Sequence, residues 1–105
     1  MIMRVTWGKI RPGKWDTFER LWNDLAVETQ NAQGLLGRWL LLDSAQKDAG
    51  YSLTLWDSND DFENYDTPRP VYSEMQECFV GEFVTTSCEV RGSQMAGLKK
   101  LLSVK

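Results

Sequence analysis

The sequence predicts an α+β domain with the element order β-α-β-β-α-β, and three observations carry that prediction. Tyr51, Leu53 and Leu55 alternate with Ser52, Thr54 and Trp56, the two-residue period of a strand. That strand runs directly into Ser58, whose hydroxyl is placed to accept from the free N–H groups of a helical first turn. From Lys14 to Gln33, Trp15, Phe18, Leu21, Trp22, Leu25, Ala26, Thr29 and Ala32 recur at helical spacing. Asp16, Glu19, Arg20, Asn23, Asp24 and Gln30 fill the opposite side, so this helix buries one face.

The elements follow in order. Met3 to Ile10 alternates and reads as the first strand, and Arg11-Pro12-Gly13 turns the chain into the first helix. Gly34 is expected to end that helix in the left-handed conformation. Leu35 to Asp43 reads as the second strand, with Leu36, Trp39, Leu40, Leu41 and Leu42 leaving neither face polar. A polar turn, Ser44 to Gly50, leads to the third strand, Tyr51 to Trp56. The second helix starts at Ser58, with Asp61 in a capping-box position and Asp60, Asp61 and Glu63 at the positive end of the helix dipole. Thr67-Pro68-Arg69-Pro70 interrupts it, because proline removes a donor and restricts the residue before it. A further helical piece carries Val71, Tyr72, Met75 and Cys78 or Phe79, and Gly81 leads into a fourth strand, Glu82 to Arg91, with Val84, Cys88 and Val90 on one face. This is the ferredoxin-like order, a four-stranded antiparallel sheet with helices on one face.

Residues 1–91 form this domain, and residues 92–105 form a tail whose Met95, Leu98 and Leu101 or Leu102 fit a short helix. The helices cover one sheet face, and the apolar residues of the second strand, with Val5 and Trp7, would leave the other bare. An exposed apolar surface of that size is usually an interface. A homodimer with sheets packed face to face is therefore expected.

Composition narrows the function. The chain has 105 residues, enough for one domain, and is 42% hydrophobic with five Trp, which suits a packed core. A net charge of −3 gives no electrostatic footprint for nucleic acid or an anionic membrane. No apolar run approaches the roughly 20 residues that span a bilayer. The first strand begins at once with no signal peptide before it, and a cytoplasmic protein is expected. Histidine is absent, which excludes His-dependent triads, His-ligated zinc and a proximal haem His. Cys78 and Cys88 cannot close a structural zinc site alone, and their placement, one ending a helix and one far along the next strand, disfavours a disulfide. Two buried or half-buried free thiols are expected.

Four segments carry a resemblance. They are the first strand with Arg11-Pro12-Gly13 and the Phe18 helix, Gly34-Leu35-Leu36-Gly37, Leu55-Trp56-Asp57-Ser58 with Phe62 and Tyr65, and Pro70-Val71-Tyr72. In these the chain resembles the antibiotic biosynthesis monooxygenase family of dimeric α/β barrels, over about residues 3 to 91. The resemblance implies a cofactor-independent oxygenase acting on a small phenol or quinol: the substrate loses a proton, and its anion reduces oxygen directly. Such chemistry needs an apolar pocket, a donor for the developing anion, and a base. The haem-degrading branch of the family uses an Asn on strand one, a Trp on helix two and a His beyond it. In this sequence those positions fall on Thr6, Tyr65 and Met75, so haem degradation is not expected, and neither is any cofactor or metal.

The pocket is expected between sheet and helices, beneath the break at Pro68 and Pro70. The candidate substrate-binding residues are Arg4 and Thr6 on the first strand, Arg38 on the second as a cation for an anionic substrate, Tyr65 and Tyr72 flanking the break, and Met75. Each has a structural alternative. The arginines could simply reach solvent at a sheet edge, Thr6 is a good strand former, and the tyrosines could be core aromatics with wet hydroxyls. No residue stands out as a general base. Two other readings stay open: a non-catalytic ligand-binding or stress-related barrel, and a barrel performing non-redox cyclisation or isomerisation.

Overall fold

The computed structural model describes residues 1–66, 69–97 and 99–100. The elements run β1 (Ile2–Lys9), α1 (Trp15–Glu28), β2 (Leu35–Leu42), β3 (Ala49–Trp56), α2 (Asn59–Glu63), α3 (Arg69–Glu77) and β4 (Val84–Glu89). The strands form one antiparallel sheet in the order β2-β3-β1-β4. This is the ferredoxin-like α+β arrangement, with the helices on one face.

Strand alternation decides which side chains meet the helices. One row across the sheet is Arg38, Thr54, Arg4 and Ser87, and the next is Leu40, Ser52, Thr6 and Thr85. This is the helix side, since Trp22 of α1 donates from its indole to the Ser52 hydroxyl at 2.9 Å. Trp39, Leu53, Val5 and Thr86 make a row on the opposite face, flanked by Leu41, Tyr51, Trp7 and Val84. No described residue of the chain is seen to form a layer over this face, and Val84 is 58% exposed.

The core lies between α1, α3 and the sheet. Phe18, Leu21, Trp22 and Leu25 of α1 pack with Ile10, Met75 and Cys78. Burying side chains of this size contributes about 1.5–3 kcal/mol each. Gly8 makes room for the Phe79 ring, which a β-carbon there would strike. Trp56 is fully buried, with Phe62 and Tyr65 against it at ring distances of 5.7 and 5.1 Å.

Several expectations need correction. α1 ends at Glu28, well before Gly34, because Thr29 turns its hydroxyl back to the Leu25 carbonyl at 2.7 Å and the chain then leaves in a turn. Gly34 does take the left-handed conformation, with φ +79, but in the turn entering β2 rather than at the helix end. There it lies under Asp61 of α2, which leaves no space for a side chain. β4 is shorter than predicted, since Glu82 and Phe83 precede it and Phe83 packs on Phe79 at 5.0 Å. Cys88 is exposed on the open sheet face instead of half-buried, while Cys78 is buried as expected.

Ser58 caps α2 as predicted, accepting from the Asp61 N–H at 3.1 Å and donating its own hydroxyl to the Asp61 carboxylate at 3.0 Å. The second helical region is divided into α2 and α3. Pro70 is the second residue of α3, where its missing N–H costs little, whereas Pro68 lies outside the described residues. Leu98, Leu101 and Leu102 of the expected tail helix also lie outside them, and Met95 is exposed. Among the described residues, no helix is long and apolar enough to cross a membrane.

Candidate functional site

A cavity of about 130 Å³ lies between the helices and the sheet. Each main element contributes to it. Strands supply Thr6, Arg38 and Ser52, α1 supplies Phe18, Trp22 and Leu25, and the second helical region supplies Tyr65, Tyr72 and Met75. Phe79 and Phe83 complete the wall. Five of the six candidate residues, Thr6, Arg38, Tyr65, Tyr72 and Met75, therefore border one space.

Arg4 does not. It shares a sheet row with Arg38, on the other side of Thr54. Its guanidinium donates to the Ser87 hydroxyl at 2.7 Å and lies 3.9 Å from the centre of the Phe62 ring, a cation–π contact. Both interactions hold it towards β4 and α2.

The polar groups of the wall divide into satisfied and unsatisfied ones. Thr6 is hydrogen-bonded to Thr85 through their hydroxyls at 3.0 Å, and Ser52 accepts from Trp22. Arg38 donates from Nη2 to the Thr29 hydroxyl at 3.1 Å, yet its Nε is buried without a partner. The Tyr65 hydroxyl is likewise buried and unpartnered. These are the two such side-chain atoms among the described residues, and the residues that carry them border the same cavity. A buried donor left unmade costs about 1–3 kcal/mol, so groups of this kind need a reason to persist.

Charge points the same way. No carboxylate borders the cavity, and neither ion pair among the described residues involves Arg38. The site thus offers a cation and a phenolic donor in a largely aromatic wall. It suits a small aromatic ligand bearing an oxygen anion. Tyr72 is 37% exposed and stands at the edge of the space, while Met75 is core. No residue bordering the cavity can act as a strong base, in keeping with the absence of an evident base in the sequence.

A second space adjoins the first. An open groove of about 490 Å³ runs between the end of α1 and α2, bordered by Glu28, Thr29, Asn31, Ala32, Gln33, Asp61, Asn64, Tyr65 and Asp66. Tyr65 borders both spaces, and Thr29 of the groove holds Arg38 of the cavity. Its groups do not include a cation.

Sequence reasoning missed Thr29, Ser52 and Trp22. Ser52 was legible as an even-numbered residue on the helix side of β3. Thr29 sits on the buried face of α1, but its contact with Arg38 follows from where the helix ends, which no local signal marks.

The sheet order and the helices on one face define a ferredoxin-like domain with a cavity beneath the helices. The chain belongs to the antibiotic biosynthesis monooxygenase family, whose model matches residues 1–70. Solved structures agree on the fold. A candidate antibiotic biosynthesis monooxygenase from Caulobacter crescentus superposes with a TM-score of 0.78 at 23% identity, covering 87% of this chain and 90% of that one. A cofactor-independent oxygenase from Streptomyces nogalater gives 0.75 at 13% identity, covering 88% and 94%. A conserved protein from Methanosarcina mazei gives 0.75 at 18% identity, covering 83% and 89%. No match is found among curated proteins.

Proposed function

We propose that the protein is a cofactor-independent monooxygenase that binds a small, single-ring phenol or quinol as its anion and oxidises it with molecular oxygen. The observation that carries this reading is the pair of unpartnered buried donors, Arg38 Nε and the Tyr65 hydroxyl, on two residues that border one aromatic-walled cavity. The cavity volume supports a single ring, because a void of about 150 Å³ accommodates benzene.

The ring oxygen would accept from Arg38 and Tyr65. A charge-assisted bond of this kind is worth about 1.5–3 kcal/mol, which lowers the bound phenol's pKa by about one to two units and so raises the share held as the anion, its proton passing to water. The phenolate passes one electron to dioxygen, and the radical pair joins as a carbon–oxygen bond on the ring. The peroxide takes up a proton. Loss of the ring proton then breaks the oxygen–oxygen bond, releasing water and leaving a quinone carbonyl. One oxygen atom enters the product and the other leaves as water.

The functional unit in this reading is a homodimer formed by the open sheet faces, where Val5, Leu53 and Trp39 share a row over which the described residues form no second layer. The two free thiols agree with a reducing, cytoplasmic setting.

Oxygen uptake with a panel of monocyclic phenols and quinols tests the proposal, with heavy-isotope dioxygen tracing the inserted atom. Uptake above the autoxidation rate, with one labelled atom in the quinone, is the expected result. Absence of uptake from ligands that bind would favour the second reading, a non-catalytic binding barrel, which the lack of a base in the cavity wall supports.

A further inference from the structure

We infer that the substrate is bipartite, an aromatic ring in the inner cavity bearing a polar, non-anionic substituent that lies in the groove between the end of α1 and α2. The inference rests on the proposed aromatic site and extends it to the other end of the ligand. Three observations lead to it.

The first is size. At about 130 Å³ the inner cavity holds a ring and little else, below the roughly 300–1,000 Å³ of ordinary small-molecule sites. The adjoining groove, at about 490 Å³, brings the combined space into that range. The second is adjacency. Tyr65 borders both spaces, and the hydrogen bond from Arg38 to Thr29 links the wall of one to the wall of the other.

The third is contrast of chemistry. The inner wall is aromatic with one cation. The groove offers Glu28, Asp61 and Asp66 as carboxylates, with the amides of Asn31, Gln33 and Asn64 between them. Asp61 is already engaged by Ser58 and Gln33, which leaves Glu28 and Asp66 as the groove's uncommitted carboxylates among the described residues. Such a surface repels an anionic substituent and favours ammonium or hydroxyl donors. These carboxylates are not grouped as a metal site among the described residues. The opposite signs would also orient the ligand, with its ring oxygen towards Arg38 and its substituent towards the acidic groove.

The test uses three hydroquinones that differ only in a short ring substituent: propyl, 3-aminopropyl and 2-carboxyethyl. Calorimetric titration without oxygen reads binding apart from turnover. The aminopropyl compound should bind about tenfold more tightly than the propyl one, and the carboxyethyl compound more weakly than either, the scale expected of one or two partly exposed charge pairs. Glu28→Gln with Asp66→Asn should erase that order, so that the three compounds bind alike. Equal affinity of all three, or an order that survives the double substitution, would overturn the inference and leave the aromatic site standing. Failure of all three to bind would overturn the aromatic site and this inference with it.

Discussion

The Arg38 guanidinium donates from Nη2 to the Thr29 hydroxyl at 3.1 Å, and its Nε is buried with no partner. Thr29 in turn donates to the Leu25 carbonyl at 2.7 Å, so its hydroxyl both ends α1 and orients the arginine. One side of the guanidinium is therefore fixed and the other is free. A residue kept only for stability would be expected to satisfy that Nε.

This arrangement predicts a trade between stability and binding. Arg38→Met removes a partly buried cation and an unmet donor, at the loss of one bond to Thr29. Folding stability should change by no more than about 1 kcal/mol, in either direction. Denaturant melts of the purified variant measure it, and a loss well beyond that would mean the arginine supports the fold rather than a ligand.

Tyr65→Phe should behave similarly. Its ring packs on Trp56 at 5.1 Å and is retained in the variant, while the unpartnered hydroxyl is removed. Thermal stability should hold or rise slightly. Phenol affinity should fall by about 0.5–1.5 kcal/mol, the scale of one hydrogen bond to a neutral group, and by more for an anion. Unchanged affinity would place the hydroxyl outside the ligand's reach.

Gly34→Ala should destabilise the fold by at least about 1–2 kcal/mol, since φ +79 is costly for any residue with a β-carbon. The added methyl also meets Asp61, whose carboxylate accepts from Ser58. Equilibrium unfolding should show the loss, and Asp61→Ala in the same background should relieve part of it.

Burial raises the Cys78 thiol pKa above its usual value, against the opposing pull of Lys14. The folded state therefore holds that proton more tightly than the unfolded chain. Its contribution to stability is complete below the unfolded value, 9.0, and is lost as pH rises above it. Chemical melts between neutral and alkaline pH should show that decline, and Cys78→Ala should flatten it. In the native protein, a thiol reagent should modify exposed Cys88 first and Cys78 only on unfolding.

The open sheet face predicts a particle of twice the 12.1 kDa chain mass by light scattering. Leu53 pairs with Val5 at the centre of that face, so Leu53→Lys should yield monomers. Dimers that persist in the variant would move the interface elsewhere.

What the sequence revealed depended on how local the cause was. The β3 alternation and the Ser58 cap were legible because each is settled within a few residues. Gly34 was rightly expected to be left-handed but assigned to the wrong element, because α1 ends at Glu28 and the chain then turns before β2, with Gly34 in that turn. Arg4 shows a similar limit. The family resemblance put it at the pocket with Thr6, but its neighbours Phe62 and Ser87, which draw it away from the cavity, come from distant parts of the chain. The unpartnered Nε of Arg38 depends on packing from several elements and leaves no trace in spacing.

The central claim, that Arg38 and Tyr65 hold an aromatic oxygen anion, is tested most directly by anaerobic titration of a monocyclic phenol across its own pKa. The account predicts one ligand per chain, affinity that rises as the phenol ionises, and a loss of about tenfold or more in Arg38→Met. Binding indifferent both to ionisation and to the loss of Arg38 would contradict it.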